Sequence, residues 1–509
     1  MARLKKILII AILLLAAFMR LYKIADYMTF LGDEGRDVLV VKRMIVDGKW
    51  TLLGPTASVG GFFLGPIYYY FMLPFLWAFR LNPAGPAVMV ALFGVATVYL
   101  VYKVGKEFFN QTAGLMAAVL YSLSPLVIAY SRSSWNPNLV PFFALLYIYS
   151  LYRAVKTNIF RWWFLAGLCL GIGLQLHYLF SFLIVVGTIF LFLYKRKISD
   201  LKLWGTKILG GIIGWSPFIA FELRHRFPNT RTLYNFIFHG KETGLVKMSL
   251  TKRLGEIIFR LFSRLVFYFP PSEQYYLHSK SLLFAWRAVI ILTIITSLVV
   301  LIKQIIKAKK SEHLLLVLWL VFGIGLFLFY RKAVYDYYLG IMFPLPFLLI
   351  GNTLSFLAKK KFLQLLAILS FLGLLVLNWS GQPFKSPPNR QMEQVKTIAD
   401  IVLTKSEGRP MNFALITAQN SDHAYRYFLE IWGNRPVAIQ TFALDPDRKT
   451  VTDQLLVVCE VAECKPLGHP LWEVAGFGRA EIVGEWEGPV GIKVMKLIHW
   501  EGEDEGSAF

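Results

Sequence analysis

Apolar residues run along this chain in blocks much longer than those of a globular core, and short clusters of Lys and Arg separate the blocks. Segments at roughly 7–22, 86–102, 113–130, 138–152, 162–178, 179–194, 205–221, 282–302, 314–330, 337–357 and 362–378 approach the length of a bilayer-crossing helix, which takes about 20 residues. They predict about eleven transmembrane helices. After Gly381-Gln382-Pro383 and Pro387-Pro388 the pattern changes. Met392, Val395, Ile398 and Val402 recur at helical spacing within 389–405, and short β-like runs follow at Phe413–Thr417, Val437–Thr441, Leu455–Val458 and Ile492–Lys496. The expected fold class is an α-helical polytopic membrane protein with a small C-terminal α/β extracytoplasmic domain. Residues 1–380 form the membrane domain, with outer loops at 23–85 and 222–281, and 381–509 form the soluble one.

An odd number of spans puts the two ends on opposite sides. With the N-terminus in the cytoplasm, the clusters Arg3/Lys5/Lys6, Lys103/Lys106, Arg153/Lys156/Arg161, Lys195/Arg196/Lys197, Lys303/Lys307/Lys309/Lys310 and Lys359/Lys360/Lys361 all fall on the cytoplasmic side, as retained loops do. This requires that Leu64–Phe79 does not cross. Its Gly65-Pro66, Tyr68-Tyr69-Tyr70 and Pro74 suit a helix at the outer headgroup level. Met19-Arg20-Leu21-Tyr22 offers no small-residue cleavage site, so the first apolar run reads as a retained span.

Composition agrees with this class: 56% of residues are hydrophobic and 16% aromatic, with a mean hydropathy of +0.54. The net charge of +23 lies in loop clusters and not in a stripe interleaved with aromatics, which argues against nucleic acid as a partner. Of the cysteines, Cys169 lies in an apolar run, while Cys459 and Cys464 are either a bridge outside the cell or free thiols. The final Glu501-Gly502-Glu503-Asp504-Glu505 reads as a solvated end.

The polar residues then gather on the outer face. Gly32-Asp33-Glu34-Gly35-Arg36-Asp37 follows the first span, and paired carboxylates at a membrane surface suit acid/base work on a lipid-borne substrate. The cations Arg132, His177, Arg224, His225, Arg331 and Lys332 are candidates to hold a phosphate leaving group. Cations near helix ends also snorkel without function, but Arg331 and Lys332 stand outside, against the positive-inside bias, in a tyrosine-rich turn. No cofactor is demanded. A divalent metal stays open only through Glu222 and His225, whose spacing matches no strong metal motif. A rival class is a flippase or transporter of polyprenyl-linked saccharides, which would need a polar path through spans that are almost free of polar residues.

An Asp-Glu pair in the first outer loop, Gly65-Pro66-Ile67-Tyr68-Tyr69-Tyr70, Ser124-Pro125 followed by Tyr130-Ser131-Arg132, and Tyr337-Tyr338-Leu339-Gly340-Ile341-Met342-Phe343-Pro344-Leu345-Pro346 together resemble the GT-C membrane glycosyltransferases. The nearest branch is that of the protein O-mannosyltransferases and lipid A aminoarabinose transferases, and the likeness covers roughly 1–380. The resemblance implies a polyprenyl-phosphate sugar donor and a lipid, glycan or protein acceptor. It makes Asp33 the catalytic base with Glu34 beside it, and Arg331–Tyr338, including Tyr335 and Tyr338, the lipid-phosphate region. Arg36, Asp37, Tyr68 and Tyr69 are then acceptor-side or loop residues. Two positions depart from relatives: Leu64-Gly65-Pro66 stands where many have His-Pro-Pro or Lys-Pro-Pro, and His177 stands where they often have lysine. Trp162-Trp163 is followed by Phe164, so the Trp-Trp-Asp signature of oligosaccharyltransferases is absent.

Overall fold

A computed structural model of the chain describes residues 2–57, 61–194, 201–238, 249–308, 310–328, 330 and 334–500. Lys195/Arg196/Lys197, Lys309, the pair Arg331 and Lys332, and Glu501–Glu505 lie outside the described residues. Two compact units form: Met1–Ile24, Trp50–Phe75 and Gly85–Pro387 make one, and Ala25–Lys49, Leu76–Ala84 and Pro388–Phe509 make the other. The acidic segment of the first loop thus groups with the C-terminal residues, a division that a single cut at residue 381 does not describe.

The first unit is helical, and each of the expected apolar segments overlaps a helix. Among the described residues, five helices are long and apolar enough to cross a membrane: Ala84–Phe108, Asn136–Thr157, Lys280–Lys307, Ser311–Leu328 and Lys361–Ser380. A sixth span arises if Asp336–Met342 and Pro344–Ala358, bent by 59°, count as one. Pro344 and Pro346 open the second half, where a missing amide hydrogen costs nothing, so the chain can turn just before them. Ile67–Ala78 has 12 residues with Pro74 inside. At 1.5 Å per residue it reaches about 18 Å, short of the ~30 Å hydrocarbon core. Phe160–Leu176 packs against Leu201–Arg224 through small residues: a Cβ on Gly167 or Gly171 would overlap the carbonyl of Lys207 or Gly211. Such pairs let helix backbones approach where apolar burial gives no preference.

The second unit holds α1 (Gly32–Val46), α2 (Gln391–Ser406), β1 (Asn412–Ile416), α3 (His423–Ile431), β2 (Gln454–Cys459), β3 (Ala480–Glu487) and β4 (Lys493–His499). Its sheet runs β1-β2-β4-β3, with β1 and β2 parallel in the register Ala414↔Val457 and the other pairs antiparallel. β1 and β2 are buried throughout, which is why they read as continuous apolar runs. Ala414, Ile416, Leu455, Val457, Met495 and Leu497 form the core of the sheet. Cys459 and Cys464 are joined as a disulfide.

Two strand expectations change. Val437–Thr441 forms no strand, only a bridge at Asn412↔Val437, because the Asn412 side chain takes the Val437 carbonyl and ends the ladder. β3 escaped the pattern because it is a largely exposed edge carrying Glu481, Glu485 and Glu487 around Gly484. α3 buries Ala424, Tyr425, Tyr427 and Phe428, and Phe428 meets Phe30 edge-on at 5.8 Å. Glu430 of α3 receives Arg43 at 2.8 Å and Lys42 at 3.1 Å from α1. Burial alone would raise the Glu430 carboxyl, but these two cations outweigh it and hold it below its ordinary value.

Candidate active site

α1 starts where its sequence offers no side-chain cap, since Leu31 precedes Gly32 in extended conformation. Glu34 replaces half of a capping box: its Oε2 accepts the Leu31 N–H at 3.1 Å. Glu34 is 7% exposed, and burial pushes its carboxyl up to about 7, against the pull of the Glu34 and Leu31 backbone N–H groups and with help from Asp33 and Asp37. Asp37 is fully buried and pairs with Arg36 at 2.8 Å. Arg36 Nη1 holds Asp33 at 2.8 Å, yet the Asp33 side chain remains 54% exposed. Of these three carboxylates, Asp33 alone faces solvent, oriented by Arg36 at the positive end of a helix. Gly32 and Gly35 are packing residues as well: a Cβ on the first would overlap Ser421 Oγ, and on the second the Ala424 backbone.

In the first unit, His177, Tyr335 and Tyr338 come together. The His177 ring stacks on Tyr178 at 4.6 Å and lies 5.4 Å from Tyr338, and its Nδ1 accepts the Leu179 N–H at 3.2 Å. Tyr335 packs edge-on against Tyr338 at 5.6 Å. The Tyr330 hydroxyl lies 3.3 Å from that of Tyr178 and 3.5 Å from that of Tyr338. Tyr178 and Tyr330 line a cavity of about 710 Å³ whose walls also include Phe62, Leu179, Phe182, Trp215, Phe218 and Phe236. A hydrocarbon chain matches such a mostly apolar lining.

Other expected residues lie elsewhere. Arg132 is buried and donates to the carbonyls of Met19 at 2.9 Å and Tyr22 at 2.7 Å, closing the end of the Ala2–Leu21 helix. Arg224 is exposed in the last turn of Leu201–Arg224. Glu222 accepts from the Asn229 and Thr230 backbones and side chains at 2.6–3.2 Å and so starts the Pro228–Phe238 helix. His225 is exposed and leans on Phe221, and no group of three metal-ligating side chains occurs among the described residues. Tyr68 is buried with its hydroxyl 2.7 Å from Ser134 Oγ, and Tyr69 is buried beside it.

The cations that do reach the tyrosine turn went unnoticed in the sequence. Arg253, Arg260 and Arg264 line the helix Leu250–Val266: Arg253 donates to the Tyr330 carbonyl at 2.7 Å, Arg260 holds Asp336 at 2.5 Å and the Val334 carbonyl, and Arg264 holds Asp336 at 3.3 Å. Their spacing on one helical face was the available signal.

Comparison with known proteins agrees with this architecture. Residues 65–221, under a third of the chain, match the family described as dolichyl-phosphate-mannose-protein mannosyltransferase. The Bacillus subtilis protein YycA, a candidate mannosyltransferase by name, is 25% identical over 148 residues, which are 29% of this chain and 22% of that protein's own length. The crystal structure of ArnT from Cupriavidus metallidurans bound to undecaprenyl phosphate has a TM-score of 0.61 at 12% identity, covering 96% of this chain and 97% of that one. An Archaeoglobus fulgidus oligosaccharyltransferase crystallised with zinc and sulfate has a TM-score of 0.51 at 12% identity, over 88% of this chain and 67% of its own.

Proposed function

We propose that this chain, a membrane protein with the GT-C fold, is a glycosyltransferase that moves one sugar from a polyprenyl-phosphate donor to an acceptor on the outer face of the membrane. The observation that carries the reading is the solvent-facing Asp33 carboxylate, held by Arg36 beside two buried carboxylates. Asp33 takes the proton of the acceptor as its nucleophilic atom attacks the anomeric carbon. The bond from that carbon to the phosphate oxygen breaks, the lipid phosphate departs with its electron pair, and the sugar is transferred with inversion.

In this reading Arg331 and Lys332, with Arg224, neutralise the phosphate, and the cavity lined by Tyr178 and Tyr330 takes the prenyl chain. An undecaprenyl phosphate ligand in the ArnT structure supports a lipid of that class. The N-terminus lies in the cytoplasm and the Cys459–Cys464 unit outside, where a disulfide persists. The test is incubation of membranes containing the intact protein with a panel of radiolabelled polyprenyl-phosphate sugars, scoring lipid, glycan and protein products. Labelled product from one donor is expected. Donor that crosses the bilayer without forming product contradicts the reading and favours a carrier.

A further inference from the structure

The residue next to the proposed base is anchored from 388 positions away: Gly32 N–H donates to Asn420 Oδ1 at 2.9 Å. This contact fills a gap that the local sequence leaves open. The first amides of a helix have no partner within it, a preceding Ser, Thr, Asp or Asn normally supplies one, and here the preceding residue is leucine.

Asn420 is itself locked. Its Oδ1 also accepts the Ser421 N–H at 2.9 Å, and its Nδ2 donates to both Glu460 oxygens at 2.9 and 3.2 Å. With the acceptor facing two backbone N–H groups and the donor facing a carboxylate, only one orientation of the amide satisfies all four contacts. Glu460 is fixed in turn by Thr417 Oγ1 at 2.7 Å and the Tyr425 hydroxyl at 2.7 Å. Its own N–H bonds the Ile416 carbonyl at 2.9 Å, at the end of the paired strands β1 and β2 and next to the disulfide-linked Cys459. A continuous chain of directed contacts therefore runs from the sheet through Glu460 and Asn420 to the amide that precedes Asp33.

Resting on the assignment of Asp33 as base, we propose that Asn420, held by Glu460, is a positioning residue that fixes the Asp33 carboxylate, so that the C-terminal domain is an integral part of the catalytic apparatus. A misplacement of about 1 Å in a catalytic group can cost about a hundredfold in rate. The test uses the full-length protein carrying Asn420→Ala, Asn420→Asp, Asp33→Asn, and Asn420→Ala combined with Asp33→Asn. Asn420→Ala is expected to lower kcat between about tenfold and a hundredfold with little change in KM. Asn420→Asp keeps the acceptor for Gly32 but sets a carboxylate against Glu460, so it is expected to lose kcat as well, and full parent activity in it contradicts the Glu460 anchor.

In the Asp33→Asn background, Asn420→Ala is expected to cost nothing more. Hydrogen exchange gives a readout independent of turnover: the amides of residues 31–36 should exchange faster in Asn420→Ala while those of β1 keep the parent's rate. Unchanged exchange at 31–36, or a kcat loss that adds in full to that of Asp33→Asn, overturns the proposal. A fully active Asp33→Asn protein instead overturns the base assignment, and the exchange result still judges the Asn420 anchor separately.

Discussion

At the start of α1 three carboxylates share one helical turn with Arg36, whereas in the tyrosine turn a single carboxylate, Asp336, faces the two guanidinium groups of Arg260 and Arg264. In the first place the surplus is acidic, two of the carboxylates are buried, and the third is presented to solvent. In the second the arginines are spent on Asp336 and on the carbonyls of Val334 and Tyr330, so they shape the turn. Charged residues of the same kind therefore do different work according to what takes their hydrogen bonds. The count of charges in a loop tells neither story, because a guanidinium bound to carbonyls and one aimed at a substrate look alike in sequence.

This contrast can be broken by substitution. Gly35→Leu puts a side chain where the Ala424 backbone lies, so overpacking is expected to cost about 1–3 kcal/mol. Thermal unfolding of the detergent-purified protein checks this, and an unchanged melting temperature contradicts the close docking of α1 on α3. In the tyrosine turn, Asp336→Ala leaves two part-buried arginines without that carboxylate, at a cost of about 1–3 kcal/mol. Faster hydrogen exchange over residues 334–342 is the corresponding readout.

Glu222→Ala removes the acceptor at the start of the Pro228–Phe238 helix and is expected to cost about 0.5–2 kcal/mol, with no change in response to added divalent metal. A pH-dependent effect concerns Glu34. Burial raises its carboxyl to about 7, above the ordinary value of 4.5, so its contribution to stability is fully present below about 4.5 and is lost as pH rises through about 7. Glu34→Gln should flatten that part of the fall in melting temperature between about pH 5 and 8, and an identical slope in the two proteins contradicts the burial of an ionisable group there.

Long apolar runs made the helical class legible, and the short apolar runs at β1, β2 and β4 made three of the four strands legible. The cluster Asp33–Asp37 was legible because its residues are neighbours in the chain. What it lacked was any mark of which carboxylate stays exposed, since that depends on Arg36 and on α3. Asn420 and Glu460 were illegible for a related reason: their partners lie far away in sequence, and no local spacing announces them, whereas the arginines of Leu250–Val266 share a helical face but show no partner in the sequence. Arg132 misled in the opposite direction, standing in an outer-face turn yet turning inward to close a helix.

The central claim is that Asp33 is the base, and comparing sugar transfer by the parent and Asp33→Asn proteins at equal folded amounts tests it most directly. A loss of about 10²–10⁴ in rate, with melting temperature and detergent behaviour unchanged, is predicted. A folded Asp33→Asn protein that transfers sugar at the parent's rate would contradict it.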